Sequence, residues 1–187
     1  MKSLRAVFID LDETLIYTSR ANYLAYQESC LLSGLLLDEK VFKDFSGMNS
    51  EIFLPAIFPG ITEETIFAIQ EHKISVYPDY FRYTTVNASL LALVQRFRGN
   101  EFTVLVTNAS LRNVDKLLQY HELSEFFDLV LTGDLVANKK PAPDLYFLAL
   151  EKLNLQATEC VAFEDSTAGI ESARAAGIHV FKVLNLL

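Results

Sequence analysis

Four short apolar runs, each closing on polar residues, constrain this chain more than any other feature: AVFID (6–10), FTVLVTN (102–108), LVLTGD (129–134) and CVAFED (160–165). Runs this short, rich in β-branched and aromatic residues, read as strands covered on both faces. Helix-like stretches lie between and after them: SLRNVDKLLQYHEL (110–123), APDLYFLALEKLNL (142–155) and STAGIESARAAGIHV (166–180). Strands alternating with helices in this way predict βαβ units and an α/β fold on a mostly parallel sheet. Ligands of such sheets bind outside the carboxyl ends of the strands. Asp10, Asp12, Thr107, Asn108, Glu164 and Asp165 fall there.

One spacing is irregular. The first strand closes at residue 10 and the second at residue 107, whereas a plain βαβ unit takes roughly 30 residues. The segment between reads as helical: SRANYLAYQESCLLSGLL, DEKVFKDF, SEIFLPAIF and TEETIFAIQEHKISVY. Ser19, Asp38 and Thr62 are its expected N-caps, and breaks fall at Gly34, Gly47, Pro59-Gly60 and Pro78. The chain is therefore expected to divide into a core domain, residues 1–16 and 85–187, and an inserted helical domain, residues 17–84. Tyr17, Tyr23, Tyr26, Tyr77, Tyr80 and Phe81 are expected mostly to pack the inserted domain's own core.

Composition narrows the function. At 187 residues and 51 % hydrophobic, the chain can bury a real core. A formal charge of −8 repels phosphate backbones at long range, which argues against nucleic acid as a partner. Cys30 and Cys160 lie in apolar surroundings without metal-ligand spacing, and read as buried reduced thiols of a cytoplasmic protein. No apolar run reaches bilayer length, and MKSLRAVFID runs into an acidic pair where a signal peptide would have its core, so neither a membrane nor export is expected. His72, His121 and His179 show no partner spacing and read as surface or hydrogen-bonded histidines.

The acids are the anomaly. Asp10 and Asp12 are two apart, so on an extended chain both carboxylates leave one face and repel each other. Glu164-Asp165 brings two more to another strand end. A cluster of oxygen ligands of this kind suits a hard divalent cation such as Mg²⁺. Lys140, in NKKPAPD, adds a positive charge on a loop stiffened by Pro141 and Pro143. Thr107-Asn108 offers a hydroxyl and backbone N–H groups near a helix N-terminus, which favour an anion. Taken singly, a strand-end Asp caps a turn, a Thr fills a strand and a lysine before proline is solvated. Taken together at successive strand and loop ends, they describe a site for a phosphoryl group.

At these residues the chain resembles the haloacid dehalogenase superfamily. DLDET looks like its first motif, D-x-D-x-T; LVTNAS, the lysine of KKPAPD and FEDSTAG look like the second, third and fourth. The KPAPD and EDSTAG stretches are similar to those of the β-phosphoglucomutase-like and phosphoglycolate-phosphatase-like branch. The resemblance implies a Rossmann-like core with an inserted helical cap of type 1. It further implies an Mg²⁺-dependent phosphatase of a small phosphorylated metabolite. Asp10 would be the nucleophile and Asp12 the general acid and base. Thr107, the Asn108 amide and Lys140 would bind phosphate. The metal would be held by the Asp10 side chain, the Asp12 backbone carbonyl and Asp165, with Glu164 either as a further ligand or as a partner just behind the ligands.

Asp12 favours a phosphate ester over a haloacid, because members that displace halide have no alcohol to protonate. A phosphosugar mutase is the alternative within the family. Such relatives present an arginine after a cap glycine, where this chain reads Gly47, Met48, Asn49, Ser50, Glu51, leaving Lys43 or Lys73 to serve instead. A non-catalytic scaffold would have lost a nucleophile or metal acid, and a receiver-type signalling module would lack the insertion and carry its phosphoacceptor on a later strand. Three further expectations concern the periphery. Glu13, where many relatives carry glycine, is expected as an exposed turn acid. The hinge YTTVNASLLALV lacks a Pro-Gly, and the Leu186-Leu187 end is expected to leave an association-prone edge. The oligomeric state stays open.

Overall fold

The computed structural model describes residues 3–45 and 48–184. Gly47 and the Leu186-Leu187 end therefore lie outside the described residues. The strands are β1 (Ala6–Ile9), β2 (Ile16–Tyr17), β3 (Thr85–Val86), β4 (Phe102–Val106), β5 (Leu129–Leu131), β6 (Cys160–Glu164) and β7 (His179–Lys182). The helices are α1 (Ser19–Leu32), α2 (Glu39–Lys43), α3 (Ser50–Ile57), α4 (Glu63–Val76), α5 (Ala88–Gln95), α6 (Leu111–Tyr120), α7 (Asp144–Leu153) and α8 (Thr167–Ala175). They form two compact units, one of Met1–Tyr17 with Val86–Leu187, the other of Thr18–Thr85.

The first unit is an α/β layer structure. Its sheet runs β5-β4-β1-β6-β7 with every neighbouring pair parallel. Each residue of β1 is fully buried, as a central strand covered on both faces must be. β1 pairs Ala6 with Phe102 and Ile9 with Leu105 on one side, and Ala6 with Cys160 and Ile9 with Phe163 on the other. That register brings three strand ends level. Asp10 follows β1, Thr107 follows β4, and Glu164 closes β6 with Asp165 next. Backbone bonds carry the ladder to the last residues: Asp10 N–H donates to Phe163 O at 3.0 Å, and Thr107 N–H to Leu131 O at 2.9 Å. On one face Leu145, Tyr146 and Ala149 of α7 join Phe8, Val104 and Val106 in a single buried cluster.

Two expectations change here. β1 stops at Ile9 and the chain turns at Asp12–Ile16, so Asp10 and Asp12 sit beyond the strand rather than on one pleated face. The tail of the stretch read as helix at 166–180 is strand β7, because α8 ends at Ala175 and Gly177 reverses the chain at φ 77°.

The second unit is all helical, α1 to α4 followed by a 3₁₀ segment, Tyr77–Tyr83. Asp38 caps α2, accepting from Lys40 N–H at 2.8 Å and Val41 N–H at 3.1 Å, and Thr62 caps α4. Ser19 is instead the first residue of α1, with Thr18 at the cap position. The aromatics do build this unit's core. Tyr26 meets Phe53 edge-on at 5.0 Å, Phe42 meets Phe53 at 5.5 Å, and Tyr77 meets Phe81 at 5.0 Å. Tyr17 falls outside it, on β2 in the first unit. No helix of the described residues is long and apolar enough to cross a membrane.

Candidate active site

Lys140 is the centre of charge. It is buried, and its ammonium donates to Asp10 Oδ1 at 2.7 Å, Val106 O at 2.7 Å and Glu164 Oε1 at 2.5 Å. Three acceptors meet three protons, which is the full capacity of an ammonium group. Burial works against its charge, but the Asp10 and Glu164 carboxylates outweigh burial and raise its pKa above the ordinary lysine value. Asn108 sets the loop that delivers it. The Lys140 N–H donates to Asn108 Oδ1 at 2.9 Å, and Asn108 Nδ2 donates back to Lys140 O at 3.1 Å. Below that loop Ser172 Oγ donates to Ala142 O at 2.6 Å.

Around the lysine the carboxylates converge. Among the described residues, Asp10, Glu164 and Asp165 form the one group of acids or other ligand side chains that brings three donor atoms within 4.8 Å of one another. Asp10 and Glu164 are buried and Asp165 is half-buried. Burial first, then the Asp10 charge, pushes Glu164 up to about 7, against the pull of Lys140. The same two causes raise Asp165, against a 2.8 Å hydrogen bond donated by the buried Thr14 hydroxyl. The Tyr146 hydroxyl donates to Glu164 Oε1, the oxygen that Lys140 also holds. Burial and then the Glu164 charge raise the Tyr146 phenol well above its usual value, so it keeps its proton and donates. Glu164 Oε2, fully buried, has no hydrogen-bond partner.

A divalent cation fits this donor set. One ammonium faces three carboxylates, and a buried acid left with an unpartnered oxygen is costly unless something positive meets it. The spelling of the fourth motif follows from the same crowding. A Cβ on Gly169 would stand 1.8 Å from Glu164 Oε2, so only glycine lets α8 pass so close to the carboxylate. Ser166 caps α8 by accepting from Gly169 N–H at 3.0 Å. Gly133 is similarly forced, since a Cβ there would lie 2.4 Å from Asn108 O.

The other residues singled out in the sequence divide. Thr107 is buried at the end of β4, its Oγ1 accepting from Ala109 N–H at 3.1 Å where α6 is about to begin. Asp12 is half-buried, and its carboxylate is not part of the three-acid cluster. Glu13 is half-buried rather than exposed, at φ 60°, a left-handed conformation in which glycine is at ease. His72 meets Ser29 Oγ at 3.0 Å, and the His121 and His179 rings rest edge-on against Tyr120 and Phe181. Sequence reasoning missed Thr14 as the partner of Asp165, the Asn108 side chain as the clamp on Lys140, and Tyr146. It also missed Asn87, which caps α5 through Leu90 N–H at 3.1 Å and donates to Thr14 O at 3.2 Å, both within the first unit.

A parallel α/β sheet with a lysine-bridged acid cluster at its carboxyl edge defines the class, a hydrolase working on an anionic centre. The model of the haloacid dehalogenase-like hydrolases matches residues 4–177, and the chain belongs to that family. It is 28 % identical over 180 residues to the phosphorylated carbohydrates phosphatase of Thermotoga maritima, covering 94 % of this chain and 82 % of that one. It is 30 % identical to the protein CbbY of Rhodobacter capsulatus, covering 95 % of this chain and 84 % of that one. The crystal structure of CbbY from Rhodobacter sphaeroides in complex with xylulose-(1,5)bisphosphate superposes with a TM-score of 0.80 at 26 % identity, over 95 % of this chain and 84 % of that one.

Proposed function

We propose that this chain is an Mg²⁺-dependent phosphatase of a small phosphomonoester, of the sugar phosphate or phosphoglycolate type. The observation that carries this reading is the buried Lys140 held between Asp10 and Glu164, beside a cluster in which Asp10, Glu164 and Asp165 each bring a carboxylate oxygen within 4.8 Å of the others. The names of the relatives support the substrate class. Asp10 attacks phosphorus and the ester P–O bond breaks, while the departing alkoxide takes a proton from the Asp12 carboxyl. A water then gives its proton back to Asp12 and attacks phosphorus, the bond to Asp10 breaks and phosphate leaves. Thr107 and the Asn108 N–H bind the phosphoryl oxygens, while Lys140, held by Asp10, Val106 O and Glu164, neutralises Asp10 and the developing charge through its field. Asp10, Glu164 and Asp165, with the Asp12 backbone carbonyl, would hold Mg²⁺, which screens the anionic nucleophile from the anionic phosphate.

The helical unit Thr18–Thr85 is taken as the cap that selects the substrate. Of the two lysines that could serve a mutase instead of the arginine, Lys73 is buried over the rings of Tyr77 and Tyr26, at 3.7 and 5.2 Å, while Lys43 makes only an exposed pair with Glu39 at 3.5 Å. The burial of Lys73 favours hydrolysis over transfer to a second phosphate site. The buried free thiols Cys30 and Cys160 support a reducing compartment, the cytoplasm. Phosphate release from a panel of sugar phosphates, phosphoglycolate and nucleotides tests the assignment. Turnover is expected with Mg²⁺, lost with chelator and lost in Asp10→Asn. Turnover that survives Asp10→Asn, or silence across the panel, would contradict it.

A further inference from the structure

Tyr146 raises a question that packing does not answer. Its ring lies in the buried cluster 5.9 Å from Phe8, a place that a phenylalanine would fill equally well. The hydroxyl is therefore there for its one hydrogen bond, to Glu164 Oε1. A buried hydroxyl needs a partner, and the partner chosen is an acid already held by Lys140 through the same oxygen. Both donors gather on Oε1, and none reaches Oε2. Oε2 itself lies against the α8 backbone, so closely that no Cβ fits at Gly169, and the carboxylate is thereby held from both of its oxygens.

We propose that Tyr146 is a positioning residue: with Lys140 it anchors Glu164 through Oε1, and so fixes the carboxylate that would hold the divalent cation together with Asp10 and Asp165. This rests on the metal-dependent reading above. The arrangement is the carboxylate counterpart of a hydrogen bond that fixes a metal-bound histidine, in which an outer partner sets the orientation of the ligand. Lys140 cannot do this alone, because its ammonium is shared with Asp10 and Val106 O. The phenol adds a second, neutral donor on the α7 side and leaves the charge balance of the cluster unchanged.

The test measures binding of Mn²⁺ alone, by electron paramagnetic resonance, in wild type, Tyr146→Phe, Glu164→Gln and the double variant. Circular dichroism melting of each reports the fold. Tyr146→Phe is expected to lower Mn²⁺ affinity roughly ten- to a hundredfold, and the Mg²⁺ concentration needed for half-maximal phosphate release should rise by the same factor. In the Glu164→Gln background, adding Tyr146→Phe should cost little more, because the hydroxyl acts through the carboxylate. Equal affinity in wild type and Tyr146→Phe would overturn the proposal, as would an equal loss in both backgrounds. Loss of the fold in Tyr146→Phe would also overturn it, since the hydroxyl would then be holding the core. A folded wild type that binds no Mn²⁺ would overturn the metal-dependent reading itself, an outcome distinct from failure of Tyr146.

Discussion

Lys140 stays charged inside the protein because two carboxylates and a carbonyl replace the water it gives up, and the two cysteines show the opposite case. Burial pushes Cys30 up to about 11, and burial, aided by the Glu159 charge and opposed by Arg5, pushes Cys160 up to about 12. Both thiols should therefore resist a disulfide reagent at pH 8 in the native protein and react once urea unfolds it. The same shifts set a pH dependence. A thiol whose folded pKa is raised contributes stability below its unfolded pKa, near 9, and loses it as pH rises toward the folded values. Urea midpoints should thus fall from about pH 9 upward, and Cys30→Ala with Cys160→Ala should flatten that fall. Rapid reaction of either thiol in the native state would contradict the burial assigned to it. At this scale the sequence exposed the charged residues, since Asp10, Lys140, Glu164 and Asp165 stand out against apolar runs. It hid Tyr146, which looks like core until the fold brings it to Glu164, and it showed Thr14 as part of DLDET without its bond to Asp165.

Among the elements, three strand ends and one loop do the assembling, and Asn87 ties another segment to them. Its side chain caps α5 and also holds the carbonyl of Thr14, whose hydroxyl in turn steadies Asp165. Asn87→Ala removes both bonds and is expected to lower unfolding stability by about 1–2 kcal/mol, read from urea denaturation. A change below about 0.3 kcal/mol would mean that α5 and the Thr14 turn are held by packing alone. The long apolar strands β1, β4 and β6 were legible because a strand buried on both faces leaves an unbroken run. The two-residue strands β2 and β3 were not, being too short to carry any period. Strand β7 hid in a helix-like stretch because its residues His179, Phe181 and Lys182 are exposed. The cap at Asp38 was legible from local chemistry, whereas the clamp of Asn108 on Lys140 joins residues 32 apart in the chain and follows only from the βαβ register.

At the scale of the molecule, a parallel sheet gathers acids on one edge, and a helical unit is inserted after β2. The order of the site residues along the chain, 10, 107, 140 and 164–165, follows from the strand order β4-β1-β6, which makes β1 the centre and Asp10 its tip. The proposed phosphatase turns on Asp10, which would carry the phosphoryl group between the two half-reactions. The most direct measurement is mass spectrometry of the protein quenched in acid during turnover of a phosphomonoester with Mg²⁺. A phosphate adduct is expected on the peptide that contains Asp10, absent from Asp10→Asn and absent when the metal is chelated. Phosphate release with no adduct on that peptide, or an adduct that persists in Asp10→Asn, would contradict it.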